Sequence, residues 1–267
     1  MLAVVGLHEP AQPALGTAFH RELVVGATTR GMQLGFKVEE FTVGQAGLTV
    51  PRLDSILQSR GIHGVIILPE WNIPDWSRFD WLHYAGIYTD YNIERPALHC
   101  VCCDHYRSMT GALARLTALG YQRPGLFLQQ HQDQRLQNRF SAAFNGFKLP
   151  APRVPPLIVE ELQRDEFNAW FRKFQPDIVL GHYTYILDWM EECGAQVPST
   201  HGFVCLNELY KTRPCAGLDQ QPREIGARSA ELVIAQLQRN ERGIPHWPTT
   251  TTIPARWVEG PTVRSAA

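Results

Sequence analysis

The chain has 267 residues, of which 44% are hydrophobic and 19% are charged, and its formal net charge is -1. This length suffices for one large domain or two lobes with buried cores. The near-neutral charge excludes a broad basic surface that holds nucleic acid by neutralising phosphates. We see no signal-peptide pattern and no apolar run near the roughly 20 residues of a membrane helix, so we expect a cytoplasmic protein with reduced cysteines and no membrane contact.

The first half alternates short apolar runs with longer helical patterns, which predicts a parallel sheet with crossover helices. Strands are predicted at 2–7, 37–41, 64–69, 85–89 and 97–103. Helices are predicted at 19–34, 49–60 and 105–119. Thr49 and Pro51 are the residue types of a helix N-cap and first turn, and Gly35 is typical of a helix end.

The second half repeats the same alternation. Strands are predicted at 125–128, 157–160, 177–181, 202–207 and 249–258. A polar loop is predicted at 129–134, followed by a helix that carries Arg139, a helix at 164–174, a helix that ends at Gly194, and a long helix opened by Pro222. About five strands in each half predict an α/β fold of two doubly wound parallel sheets with a ligand cleft at the strand carboxyl ends.

Several segments follow one another in a characteristic order. GLDQQPREIGARSAEL and then IPARWVEGPTVR give a turn, a Gly-containing helix and a closing strand that ends in Arg, while VCCD precedes a helix and LGYQRPGLFL, and RFSAAF lies in a later helix. In order and spacing these segments resemble the effector-binding core of the LacI/GalR family of bacterial transcriptional regulators, over nearly the whole chain. The resemblance implies two lobes of the periplasmic-binding-protein-like type I, an N-terminal lobe at 1–101 and 220–247 and a C-terminal lobe at 102–219 and 248–267.

The chain departs from the family pattern at several pocket positions. Asn207 stands where Asp is usual, and His182 and Tyr183 stand where Asn-Asp is usual. Ala216 and Gly217 stand where Thr-Thr is usual. The helix-turn-helix head of the family is not in this sequence, so the resemblance implies an effector-sensing domain that reaches DNA through such a head.

Candidate ligand contacts are the polar and aromatic residues that follow strand carboxyl ends. They are His8, Glu9, Trp71, Asp90, Tyr183 and Asn207. Sugars are bound by planar charged or amide groups that take neighbouring hydroxyls in pairs, and by aromatic rings against the apolar ring face. The resemblance adds Arg139, at the place of the family's effector-binding arginine, and Gln220, in the turn near the lobe crossover. Core packing is the alternative for the aromatic residues, and a surface ion pair for Arg139.

The stretch HCVCCDHY, residues 99–106, suggests a metal site, a redox pair or a sulfur-rich strand. An odd separation on a strand points Cys100 and Cys103 to opposite faces, and a disulfide between adjacent Cys102 and Cys103 would be strained. A zinc site needs four converging ligands, which one strand does not supply. We therefore predict buried apolar thiols without metal, with Asp104 as the cap of the next helix.

No catalytic or phosphate-binding motif is present in the sequence, so we predict no enzyme activity and no cofactor. The aromatic connector EWNIPDWSRFDWLHY, with Trp76 and Trp81, is either folded under its own loop or buried by a second subunit; we favour the second, which gives a homodimer through the N-terminal lobe. The alternative function is a solute-binding protein for sugar uptake, against which the absent export signal and the six cysteines argue.

Overall fold

The computed structural model describes residues 1–8, 14–71, 75–91, 95–149 and 152–265. The chain divides into two compact units. Unit 1 comprises residues 1–103 and 221–253, and unit 2 comprises residues 104–220 and 254–267. Among the described residues, no helix is both long and apolar enough to cross a membrane.

The strands are, in chain order, β1 Leu2–Leu7, β2 Val38–Val43, β3 Gly64–Ile67, β4 Ala85–Tyr88, β5 His99–Cys103, β6 Pro124–Gln129, β7 Leu157–Val159, β8 Ile178–Gly181, β9 Gly202–Cys205, β10 Ala216–Asp219, β11 Thr250–Ile253 and β12 Arg256–Val258. The α-helices are α1 Ala14–Gln33, α2 Val50–Ser59, α3 His105–Ala118, α4 Gln130–Arg135, α5 Arg139–Gly146, α6 Arg164–Phe174, α7 Ile186–Glu192 and α8 Pro222–Gln238. Short 3-10 helices are formed by Trp81–His83 and Glu208–Tyr210.

Unit 1 contains a six-stranded parallel sheet in the order β11-β5-β4-β3-β1-β2. Strand β3 is buried at all four residues, as expected for an apolar run covered on both faces. Helices α1 and α8 pack backbone to backbone, because a Cβ built on Gly26 would lie 1.9 Å from the carbonyl oxygen of Arg223 and one on Gly226 would lie 2.0 Å from that of Leu23. Larger side chains at these two glycines would force the helices apart.

Unit 2 contains a second six-stranded sheet, in the order β12-β10-β9-β8-β6-β7. Its pairs are parallel except for β12, which runs antiparallel to β10. The carboxylate of Asp104 accepts a hydrogen bond from the backbone N–H of Arg107 at 2.9 Å, so Asp104 caps α3 as predicted. In unit 1, Thr49 caps α2 in the same way through Arg52 N–H at 3.3 Å.

The predicted α/β class with two doubly wound sheets is confirmed, and three local predictions are wrong. The strand predicted at 249–258 is two strands, β11 in unit 1 and β12 in unit 2, so the last crossover follows Ile253 and does not lie at 247/248. Strand β10 was not predicted and is the sixth strand of the unit 2 sheet, while β11 is the sixth strand of the unit 1 sheet. The stretch 129–134, predicted as a loop, contributes most of α4.

The aromatic connector is folded into unit 1. Trp76 is 2% exposed and Trp81 is 6% exposed. The two rings pack edge to face at 6.0 Å between centroids, and both also contact Phe79 in the same segment, Trp76 edge to face and Trp81 in a tilted arrangement. These rings are therefore part of the unit 1 core, which was the less favoured of the two sequence interpretations, and the homodimer stays a prediction without this aromatic surface.

Candidate functional site

The carboxyl ends of the parallel strands of unit 2 bring several polar residues to one edge of the sheet. Tyr183 follows β8 by two positions, Asn207 follows β9 by two, and Gln220 directly follows β10. Because β8, β9 and β10 are hydrogen-bonded neighbours that run in the same direction, these residues lie at the same edge. The structure thus brings together three of the predicted contacts.

Two buried imidazoles flank Phe140 at this edge. The rings of His105 and His182 stand edge-on to Phe140, at 4.9 and 5.7 Å between centroids. Burial, with the charges of His182 and Arg135 adding to it, lowers the pKa of His105 to about 3. Burial and the Arg135 charge lower the pKa of His182 to about 4. Both imidazoles are therefore neutral at physiological pH, and each has one donor and one acceptor nitrogen.

Part of the hydrogen-bonding capacity of this cluster is unused. The amide nitrogen of Gln132, on α4, donates to the hydroxyl of Tyr183 at 2.7 Å. The amide oxygen of Gln132 and Nδ1 of His182 are buried and have no hydrogen-bond partner among the described residues. Since buried polar atoms are nearly always hydrogen-bonded, these two atoms call for a partner, such as a bound water or a polar ligand group.

The ring of Tyr183 stacks on two other tyrosine rings. It lies nearly parallel to that of Tyr185 at 5.4 Å and to that of Tyr210 at 5.9 Å, with an interplanar angle of 9° in each case. Tyr183 remains half-buried, so part of its side chain is open to solvent. Its role against the apolar face of a sugar stays a prediction.

The amides of Asn207 and Gln220 are each partly used inside unit 2. The Asn207 side-chain oxygen accepts from the backbone N–H of Leu209 at 3.2 Å and caps the 3-10 helix Glu208–Tyr210. The Gln220 side-chain nitrogen donates to the carbonyl of Leu206 at 2.9 Å. Asn207 is 4% exposed and Gln220 6%, so any ligand must meet them in a largely dry setting. The amide nitrogen of Asn207 is the half of its amide that remains for a ligand.

Arg139 opens α5 and is half-buried. One guanidinium nitrogen donates to the side-chain oxygen of Gln137 at 3.1 Å. Its positive charge, like that of Arg135, contributes to the low pKa of His105. Arg139 directly precedes Phe140, whose ring contacts those of His105 and His182, so Arg139 is a neighbour of this cluster in the chain.

Unit 1 presents a different set of strand-end residues. His8 is exposed after β1, and its backbone N–H donates to the carbonyl of Val43 at 2.7 Å. Trp71 is half-buried, and Asp90 is 5% exposed, with one carboxylate oxygen accepting from the N–H of Tyr91 at 2.7 Å. The predicted contact Glu9 lies outside the described residues.

Sequence reasoning missed two kinds of residue. In unit 1, Glu70 is fully buried, and its carboxylate accepts from the N–H of Leu7 at 3.1 Å. In unit 2, His105 and Gln132 were not singled out. His105 is the first residue of a helix directly after a strand, which is a recognisable position, whereas Gln132 was hidden in a uniformly polar run.

The cysteine-rich strand β5 is part of the unit 1 core. Cys100, Cys102 and Cys103 are buried, and Cys100 and Cys102 join one hydrophobic cluster. All six cysteines lie in the described part of the chain, and none forms a disulfide. Within that part, no group of three or more His, Cys, Asp or Glu side chains is placed to hold a metal ion.

No protein-family model matches the chain, and no curated protein matches its sequence. Solved structures do match. A regulatory protein of the LacI family from Chloroflexus aggregans gives a TM-score of 0.71 at 12% identity and covers 98% of both chains. The transcriptional regulator CelR in complex with cellobiose gives 0.66 at 16% identity, over 98% of this chain and 84% of that one. A LacI family regulator from Enterococcus faecium with bound ribose gives 0.63 at 15% identity, over 98% of both chains.

The chain therefore has the periplasmic-binding-protein-like α/β fold of LacI-type regulators, as its sequence predicts.

Proposed function

We propose that this chain is the effector-sensing core of a LacI-type transcriptional regulator and that its effector is a small carbohydrate-like molecule. The observation that carries this proposal is the agreement of fold over 98% or more of the chain with LacI-type regulators, among them one solved with cellobiose and one with ribose. The polar residues at the strand ends of unit 2 also support the proposal, because their hydrogen-bonding groups suit such a ligand.

The chemistry of this cluster suits hydroxyl groups. A hydroxyl donates one hydrogen bond and accepts others, and the unused amide oxygen of Gln132 and Nδ1 of His182 are partners for it. Arg139 can hold two neighbouring ligand oxygens in parallel, since its guanidinium is planar and stays charged at physiological pH. The amide nitrogen of Asn207 adds a donor where a carboxylate would only accept. Tyr183 can contribute its hydroxyl group, and Gln220 its side-chain amide.

The remaining predicted contacts belong to unit 1. Trp71, which is half-buried, is a candidate for stacking on the apolar face of a sugar ring. Asp90 and His8 are polar candidates at strand ends of the same unit, and Glu9 stays a candidate from its position in the sequence. In this proposal effector binding shifts the population between two arrangements of a homodimeric regulator whose separate head contacts DNA.

A thermal-shift screen against a sugar library tests the proposal, because a ligand that binds only the folded state raises the melting temperature. We expect at least one sugar or sugar derivative to raise it in wild type and to lose this effect in Arg139→Ala. The same ligand should be recovered unchanged after long incubation. Conversion of the ligand into a product would favour an enzyme, and no stabilisation by any library member at millimolar concentration would contradict a carbohydrate effector.

A further inference from the structure

Unit 1 has an apolar cavity of about 670 Å³, and none of the described residues proposed as effector contacts lines it. Its wall includes Trp76, Phe79, Trp81 and Pro96. The 3-10 helix with Trp81 directly precedes β4, and Pro96 shortly precedes β5, so the cavity lies at the amino ends of these strands. His8, Trp71 and Asp90 follow the carboxyl ends of strands in the same sheet. The cavity is thus at the opposite edge of the sheet from the proposed effector contacts.

The cavity has the size and lining of a small-molecule site. Pockets of roughly 300–1,000 Å³ with mainly apolar and aromatic walls and a few polar groups are typical of such sites. Leu82, which is 78% exposed, and Ile244, which is 56% exposed, extend the apolar lining to the surface. The segment with Ile244 is held there by a hydrogen bond from Gly243 N–H to the carbonyl of Tyr84 at 2.9 Å. An apolar chain could therefore lie along Leu82 and Ile244 and reach the edges of the aromatic rings, which are otherwise buried in the unit 1 core.

The charged side chains that line the cavity favour a negatively charged ligand. Asp75 is already engaged, because its carboxylate accepts from Ser77 N–H at 3.0 Å and Arg78 lies nearby; these bonds and this charge lower its pKa. Arg95 lines the cavity and is exposed, and none of the ion pairs among the described residues includes it. The positive charge of Arg95 therefore favours a ligand with an anionic group.

We propose that this cavity binds an amphipathic carboxylate, with its apolar body against Trp76, Phe79 and Trp81 and its carboxylate at Arg95. The guanidinium of Arg95 can donate two parallel hydrogen bonds to a carboxylate. The apolar contact supplies most of the affinity through area removed from water. This site is independent of the effector contacts of unit 2 and of the proposed regulator function.

Octanoate is a suitable probe, and the indole N–H resonances of the seven tryptophans are the readout in the full chain labelled with nitrogen-15. We expect the resonances of Trp76 and Trp81, assigned by single Trp→Phe variants, to shift in a saturable way, while those of Trp170 and Trp189 in unit 2 stay in place. Arg95→Glu should weaken octanoate binding about tenfold, since it turns an attraction into a repulsion. Arg78→Glu, on the aromatic connector between β3 and β4 but outside the cavity lining, is the matched control and should bind like wild type. The uncharged 1-octanol should bind more weakly than octanoate.

The proposal is overturned if millimolar octanoate leaves both indole resonances unmoved, or if Arg95→Glu or 1-octanol binds as wild type binds octanoate. A second copy of the chain is the competing occupant. If Leu82→Asp converts a dimer to a monomer in sedimentation while octanoate shifts neither resonance, the cavity is covered by that copy and the proposal is wrong.

Discussion

The sheet of unit 1 runs β11-β5-β4-β3-β1-β2 and that of unit 2 runs β12-β10-β9-β8-β6-β7, so the two units repeat one strand order. Their strand ends differ. Unit 1 has an exposed imidazole, His8, and two buried carboxylates, Glu70 and Asp90, whereas unit 2 has the neutral imidazole of His182 and the amide of Asn207. The order of apolar runs in the sequence determines the strand order of each sheet. The residues that follow each strand determine which polar groups stand at its carboxyl end. Variants at the strand ends of unit 2 should therefore change binding without changing the fold.

The largest effect is expected for Arg139→Ala in unit 2. The truncation leaves ligand oxygens desolvated without a partner, which costs about 2–4 kcal/mol, or roughly thirty- to a thousand-fold in affinity. Titration calorimetry with the best sugar from the screen measures it. Arg164→Ala is the matched control, because this arginine is exposed on α6 of the same unit and pairs with Glu192 at 3.6 Å. Near-wild-type affinity of a folded Arg139→Ala would place the effector site elsewhere.

The next effect is an acid sensitivity that arises in unit 2. The folded-state pKa of His105 is about 3 and that of His182 about 4, below the value near 6.5 of an unfolded histidine. Between these values the unfolded chain binds more protons than the folded one, so stability is fully present above about pH 6.5 and falls as the pH drops towards 4. Each histidine contributes a slope of at most about 1.4 kcal/mol per pH unit.

Urea denaturation at pH 7, 6 and 5 measures this slope. His105→Gln should reduce it, since an amide does not titrate, and it can keep a polar contact with Gln220. His246→Gln, at an exposed position of unit 1, is the control and should leave the slope unchanged. An identical slope in His105→Gln and wild type would mean that His105 is not buried in the neutral form.

Much of the fold follows from local patterns. The run that forms β3 is apolar at every buried position, and Thr49 and Asp104 are cap residues that the structure uses as caps. Strand β10 was not predicted because AGLD has a glycine, an acidic residue and no β-branched residue. Its place between β9 and β12 is decided by tertiary packing. The split between β11 and β12 likewise depends on pairing with strands far away in the chain. The segment TTTTIPARWV alone does not show which sheet each part joins.

The place of the candidate site residues in the fold could be predicted from the sequence, but their protonation states and ring contacts could not. Counting along the strands placed Asn207 and Tyr183 at the carboxyl ends, where the structure has them. The sequence does not show that Tyr210, from the connection after β9, stacks on Tyr183, from the connection after β8. The neutral state of His105 also depends on burial against Phe140, which lies 35 positions away in the sequence. Burial and stacking need the assembled unit.

A smaller effect compares one helix cap in each unit. Thr49→Ala in unit 1 and Asp104→Ala in unit 2 each remove a side-chain acceptor from a helix N-terminus, and each should lower the free energy of unfolding by about 1 kcal/mol. Urea denaturation measures both. Gln163→Ala is the matched control, because Gln163 precedes α6 without a side-chain cap bond. A loss in the control as large as in the two cap variants would show that capping is not the cause.

The last comparison is Asn207→Asp, at one of the positions where this chain departs from the LacI/GalR pattern. The aspartate keeps the oxygen that accepts from Leu209 N–H, and Asn and Asp are about equally good helix caps, so the 3-10 helix should keep its cap. Because Asn207 is 4% exposed, burial of the new carboxylate should lower the free energy of unfolding, less at low pH where the carboxyl group is neutral. The ligand-facing half of the side chain changes from an N–H donor to an acceptor. Ligands that present an acceptor at this point should lose affinity, and ligands that present a hydroxyl donor should gain it. Parallel thermal-shift screens of wild type, Asn207→Asp and Asn207→Ala measure the ranking of the library members. An unchanged ranking in Asn207→Asp would mean that Asn207 serves as the cap of the 3-10 helix without touching the effector.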